Sequence, residues 1–172
     1  MTKTLLLMRH AKSSWKDKTI PDIKRPLKKR GEEAAAQVGE TLKKHELTPQ
    51  LILTSPAKRA HATAEIVAKK SGYKGDVEVV DEFYMAEPAV FFQKLMTLDE
   101  KYDRVMVVAH NPGLEALLQI LDGQINSLPT GALADIKLDV QTWADIGLTA
   151  GGTVIAFWDP ENDPKRKKKD KK

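Results

Sequence analysis

Residues 4–8 read TLLLM, apolar without a break, and run straight into Arg9-His10. A strand with one wet face alternates apolar and polar side chains. An unbroken run of this length needs cover on both faces, which places it inside a sheet with helices above and below. LILT at 51–54 and RVMVVAH at 104–110 have the same character. Between such runs lie segments of helical composition. LKKRGEEAAAQVGETLKKH at 27–45 is rich in Ala, Glu and Lys, PAVFFQKLMTL is a short amphipathic stretch, and LEALLQIL closes at Asp122-Gly123. SPAKRAHATAEIVAKKSG carries its own punctuation: Ser55 as N-cap, Pro56 at the first helical position and Gly72 as the stop. VEVV at 77–80 reads as a third strand. ALADIKLD at 132–139 reads as a strand with one wet face, and TVIAFW at 153–158 as the last strand. Strands alternating with helices predict an α/β fold: a three-layer sandwich with a mixed, mostly parallel central sheet. No helix separates the last two strands, so they should form an antiparallel pair at one edge.

At 172 residues the chain fits one domain. We expect that domain over residues 1–162, followed by a basic, solvated tail at 163–172. The tail decides how the net charge of +4 is understood. DPKRKKKDKK holds seven basic and two acidic residues, whereas residues 1–162 hold 21 basic and 22 acidic. The basic balance is therefore local and argues for no specific nucleic-acid partner. Cysteine is absent, which removes disulfides and thiolate metal sites. TKTLLLMRHA is too short to cross a bilayer and lacks the long apolar core of a signal peptide. A cytoplasmic monomer with no membrane association is expected.

Ligands of open α/β sheets bind beyond the carboxyl ends of the strands. Three segments bring polar residues to such ends. The first strand ends in Arg9-His10. The second ends in Thr54-Ser55-Pro56, with Arg59 one helical turn on. The fourth ends in His110-Asn111-Pro112-Gly113. If these strands are neighbours, two imidazoles, two guanidiniums and two helix N-termini converge on one pocket, which favours an anion. Forked guanidiniums suit phosphate oxygens. A neutral imidazole can take a phosphoryl group on nitrogen, and a protonated one can donate to an oxygen of the group in transfer. Each element alone has a plain structural explanation; their convergence favours phosphoryl chemistry.

The same pieces, LLLMRHAKSSW, DIKRPLKKRG, LILTSPAKRAHATA, VMVVAHNPG, PTGALADIKL and TVIAFWDP, resemble the histidine phosphatase superfamily, and within it the SixA-type phosphohistidine phosphatase branch. The resemblance covers nearly the whole chain except the tail. It implies a phosphoglycerate mutase-like fold and a metal-independent phosphatase with no cofactor. His10 matches the family's nucleophile. Arg9, Arg59 and His110 match its phosphate-binding partners, and Arg25 matches a residue that reaches the pocket in this branch. Two positions depart from the pattern. Ala11 stands where the family commonly has Gly, which narrows the backbone conformations open to it. Lys28 stands where the branch often has Thr, removing a possible helix cap and adding a cation at the pocket rim.

A proton donor for the leaving group is harder to place. The loop after the third strand offers Asp81, Glu82 and Glu87, of which Glu82 is nearest the expected position. A solvated loop carboxylate is an equal reading of Glu82. Without an acid, a P–N bond is the easier substrate, so a phosphohistidine-containing protein is the expected partner. A small phosphorylated metabolite is the alternative, and a non-catalytic phosphate-binding module the third. Trp15, just after His10, is either a pocket wall or packing. His61 is expected at the surface, and Trp143 and Trp158 in structural positions.

Overall fold

The computed structural model describes residues 2–124, 127–147 and 151–163. The basic tail from residue 164 onward lies outside the described residues. Six strands form one sheet: β1 (Thr4–Arg9), β2 (Leu51–Thr54), β3 (Glu78–Val79), β4 (Arg104–Ala109), β5 (Leu133–Leu138) and β6 (Gly152–Trp158). Their order across the sheet is β3-β2-β4-β1-β5-β6. β3, β2, β4 and β1 run parallel, while β5 is antiparallel to β1, and β6 to β5. This is the mixed, mostly parallel sheet expected, with the antiparallel pair at its edge.

The unbroken apolar runs follow from cover on both faces. From β1, Leu6 and Met8 pack with Ile52, Met106 and Val108 under α1 (Lys29–Lys44) and α2 (Lys58–Ser71). Leu5 and Leu7 pack on the opposite face with Leu53, Val105 and Val107, under α3 (Pro88–Leu95) and α4 (Gly113–Leu121). Phe91, Phe92 and Leu95 of α3 are buried here, as the apolar stripe predicted, and Trp143 is fully buried.

Two local expectations are corrected. Only Lys137 of β5 is exposed, because β5 lies between β1 and β6 rather than at the edge. The strand with one wetter face is β6, which alternates along its whole length. Ser55 and Pro56 do not start α2. That helix begins at Lys58 with Ala57 at the N-cap, and Ser55 is left free for another role. Gly72 does close α2, in the left-handed conformation at φ 79°.

Candidate active site

Register brings the three predicted strand ends together. Arg9 of β1 stands opposite Ala109 of β4, and Thr54 of β2 opposite Val108. His10, Ser55 and His110 therefore leave the sheet at the same carboxyl edge. A pocket of about 310 Å³ opens there, lined by Arg9, His10, Arg25, Arg59 and His110 among others. His10, Arg25, Arg59 and His110 are buried, and Arg9 is half-buried. The loop through Thr130 and Gly131 fixes the Arg9-His10 turn. Gly131 N–H donates to the carbonyls of Arg9 (3.1 Å) and His10 (3.0 Å). Gly131 holds φ 76°, a conformation glycine adopts without strain. Ala11 is fully buried with its N–H on Thr63 Oγ1 at 3.0 Å, and it is absent from the positive-φ positions. The methyl group that replaces the family's hydrogen thus fits without backbone strain.

His10 Nδ1 lies 2.8 Å from the Ala11 carbonyl. A carbonyl only accepts, so Nδ1 carries the proton and Nε2 keeps its lone pair. Burial, above all, pushes the His10 pKa down to about 3, and the neighbouring cations add to this. The ring is therefore neutral at ordinary pH. The His110 ring centroid is 5.2 Å away. Its Nε2 meets Ser55 Oγ at 2.7 Å, and Ser55 Oγ also accepts the Ala57 N–H. Arg59 Nη2 approaches His110 Nδ1 at 3.4 Å. Burial first, then Arg59, lower the His110 pKa to about 4. Burial thus leaves the His110 ring neutral at ordinary pH as well.

Arg9 and Arg59 each have a buried Nε with no protein acceptor, among the described residues. Arg9 Nη1 makes one long contact, 3.4 Å, to the Leu128 carbonyl. Arg25 is held from several sides. Its Nε donates to Ser14 O (3.1 Å), one Nη to Ser13 Oγ (2.7 Å) and the other to Asp22 (3.1 Å). Trp15 lies over its guanidinium, 3.2 Å from ring centroid to Cζ. Trp15 is thus a pocket wall, and Lys28 reaches the rim as expected.

Glu82 is not brought to the pocket. A 3₁₀ turn over Asp81–Phe83 buries Phe83 against Phe91, at 4.8 Å between ring centroids, and turns Tyr84 toward His110. Glu82 is left exposed on the far side, in a groove with Gln93, Lys94 and Thr97. Among the described residues no carboxyl group lines the pocket, and none of their His, Cys, Asp and Glu side chains cluster as metal ligands.

Two contributors escaped sequence reasoning. Ser55 orients His110 rather than capping a helix. Asp22 accepts from Arg59 Nη2 (3.0 Å), Arg25 Nη1 (3.1 Å) and the Tyr84 hydroxyl, while its carbonyl takes Arg59 Nη1 at 2.8 Å. The Tyr84 hydrogen bond, foremost, with the two arginines, holds the Asp22 carboxyl down at about 2. The one available signal was an acidic residue three positions before Arg25 in DIKR.

These pKa shifts make stability depend on pH. Unfolded histidine titrates near 6.5, while His10 and His110 resist protonation down to about 3 and 4. Below about pH 6.5 the unfolded chain binds protons that the folded chain refuses, so stability falls with pH across that window. His10→Gln is expected to make the curve shallower between about pH 6 and 4, measured by denaturant unfolding. Equal slopes for variant and wild type would contradict the burial argument.

A sheet covered by helices on both faces, with an imidazole–guanidinium pocket at its carboxyl edge, is built to hold an anion such as a phosphoryl group. Residues 5–84 match the family described as histidine phosphatase superfamily (branch 1). An uncharacterized chloroplastic protein of Arabidopsis thaliana is 31% identical over 160 residues, covering 88% of this chain and 73% of that protein. The uncharacterized phosphatase PhoE of Bacillus subtilis is 28% identical, covering 80% and 89%. The solved structure of the protein histidine phosphatase SixA with tungstate shares the fold, with TM-score 0.78 and 24% identity over 92% and 98% of the two chains. The chain belongs to the histidine phosphatase superfamily and is a phosphatase. No helix among the described residues is long and apolar enough to cross a membrane.

Proposed function

We propose that the protein is a phosphohistidine phosphatase working through a phosphoryl group carried on His10 Nε2. The observation that favours a P–N over a P–O substrate is the absence of a carboxyl group from the pocket lining, among the described residues. The nearest carboxylate to the clamp, Asp22, stays ionised far below neutral pH and is a poor proton donor. A phosphohistidine needs little help, because its other ring nitrogen can be protonated, so the leaving group departs as neutral imidazole.

In the first step His10 Nε2 bonds to phosphorus as the substrate P–N bond breaks. The His10 ring becomes cationic, and its Nδ1–H remains on the Ala11 carbonyl, which stabilises that charge. Arg9, Arg59 and Arg25 hold the phosphoryl oxygens. A bound phosphoryl dianion also favours protonation of His110 at Nδ1, against the burial that otherwise keeps this ring neutral. In the second step water attacks phosphorus. Its hydroxyl stays on phosphate, its proton is released, and His10 regains its lone pair. The positively charged walls carry the electrostatic part of the work.

A substrate panel tests the assignment. kcat/KM is expected to be at least about a hundredfold higher on a phosphohistidine peptide than on an alkyl phosphate, the size of effect general acid catalysis supplies. Glu82→Gln should leave both rates unchanged. Equal rates on the two substrates, with a loss on the ester in Glu82→Gln, would instead favour a small-metabolite phosphatase.

A further inference from the structure

Lys12, Ser13, Trp15, Arg25 and Lys28 line the pocket, and the segment 12–29 to which they belong carries seven basic and two acidic side chains in a protein whose body is nearly neutral. Both acids are engaged, Asp17 with Thr19 and Asp22 with the arginines. Lys16, Lys18 and Lys24 are exposed, and among the described residues none pairs with a carboxylate. They sit on an ordered frame. Ser13 and Leu27 form an antiparallel bridge, Ser14 N–H donates to Pro26 O (2.8 Å), and Lys28 N–H to Lys12 O (2.9 Å). α1 can come this close only because Gly31 has no side chain; a Cβ there would lie 2.2 Å from Lys12 O.

Two large apolar side chains are exposed at the pocket as well. Trp15 is 65% exposed and Met85 56% exposed, and both line the pocket. Trp15 is clamped on one face by Arg25. Met85 is held at φ 53°, a left-handed conformation uncommon for a bulky residue, so its position at the mouth is imposed by the surrounding structure. Exposed apolar anchors within a charged, preorganised rim are the composition of a protein interface. A small metabolite confined to the pocket would not reach Lys16, Lys18 and Lys24.

Resting on the reading of His10 as acting on protein-borne phosphohistidine, we propose that the Trp15/Met85 rim and the lysines of residues 12–29 form a docking surface for an acidic protein segment flanking the phosphorylated histidine. Acidic side chains complement the lysines, and an apolar residue beside the phosphohistidine covers Trp15 and Met85. Such rim charges act chiefly on encounter and selection, and their effect weakens with salt.

The test compares three substrates: a phosphohistidine peptide flanked by Asp and Glu, the same peptide flanked by Lys, and phosphoramidate. The wild type should show a KM at least about tenfold lower for the acidic peptide, with the preference shrinking at high salt. The triple variant Lys16→Glu, Lys18→Glu, Lys24→Glu should lose or reverse that preference. Its turnover of phosphoramidate should be unchanged, which also reports that it is folded. Equal KM for the two peptides in the wild type, or an unaltered preference in the triple variant, overturns docking and leaves the phosphohistidine reading standing. Turnover of phosphoramidate with neither peptide hydrolysed removes that reading and docking together. Tighter competition by a short DNA duplex than by the unphosphorylated acidic peptide overturns the choice of a protein partner.

Discussion

His10→Ala is expected to lower turnover of an aryl phosphate by about 10⁴-fold or more, as loss of an enzyme nucleophile does elsewhere. It should also abolish the acid-labile phosphoryl adduct that intact mass detects in the wild type after brief exposure to substrate. The expectation rests on which nitrogens are free. His10 Nδ1 is fixed on the Ala11 carbonyl, leaving Nε2 unprotonated in a ring whose pKa burial holds near 3. His110 cannot substitute, since its Nε2 is bound to Ser55 Oγ and its Nδ1 faces Arg59. Arg9, Arg25, Arg59 and His110 remain in the variant, so tungstate should still bind with an affinity within about tenfold of the wild type. The pairing of retained anion binding with lost turnover separates a missing nucleophile from a collapsed pocket. Undiminished turnover, or an adduct found on His110, would remove His10 from the role.

The scaffold was legible because burial on two faces leaves a plain mark. TLLLM, LILT and VMVVA can hardly be anything but inner strands, and their polar ends Arg9-His10, Ser55 and His110 meet as soon as the strands are neighbours. What could not be read depends on rotation over one or two residues. Ser55-Pro56 satisfies every local rule for a helix start, yet α2 begins at Lys58, because Ser55 Oγ is drawn to Ala57 N–H and His110 instead. Counting along the loop put Glu82 near the leaving group. The 3₁₀ turn that buries Phe83 points Tyr84 there and sends Glu82 away. Asp22 was invisible for a different reason. Its partners Arg59 and Tyr84 lie 37 and 62 residues away, and no periodicity links residues across such spans. β5 was misjudged because Asp135 and Lys137 look like a wet face, whereas Asp135 is buried beside Leu6 of β1, where burial raises its pKa.

Arg59→Ala is expected to cost about 10²- to 10³-fold in kcat/KM on an aryl phosphate, the range seen when one preorganised donor group is lost. Arg59→Lys should recover only part of it. A guanidinium carries five N–H groups, and their distribution here explains the difference. One Nη1 hydrogen goes to the Asp22 carbonyl, one Nη2 hydrogen to its carboxylate, and the other to His110 Nδ1. Nε is buried with no protein acceptor and remains for a phosphoryl oxygen. When His110 gains a proton at Nδ1, it no longer accepts, and the Nη2 hydrogen is freed for the phosphoryl group as well. Lysine restores the charge but not the fork, so it cannot hold Asp22 and donate to phosphate in the same plane. Alanine has a second consequence. Asp22 keeps only Arg25 and Tyr84, so the tip of the 12–29 segment loses its tie to α2, and the pKa values of both histidines rise without the neighbouring cation. The acid limb of the variant's pH–rate profile should therefore move upward, a change that simple loss of substrate contact would not produce. A lysine variant as active as the wild type, or an alanine variant losing less than about tenfold with its acid limb in place, would show that Arg59 neither clamps the phosphoryl group nor tunes the two imidazoles.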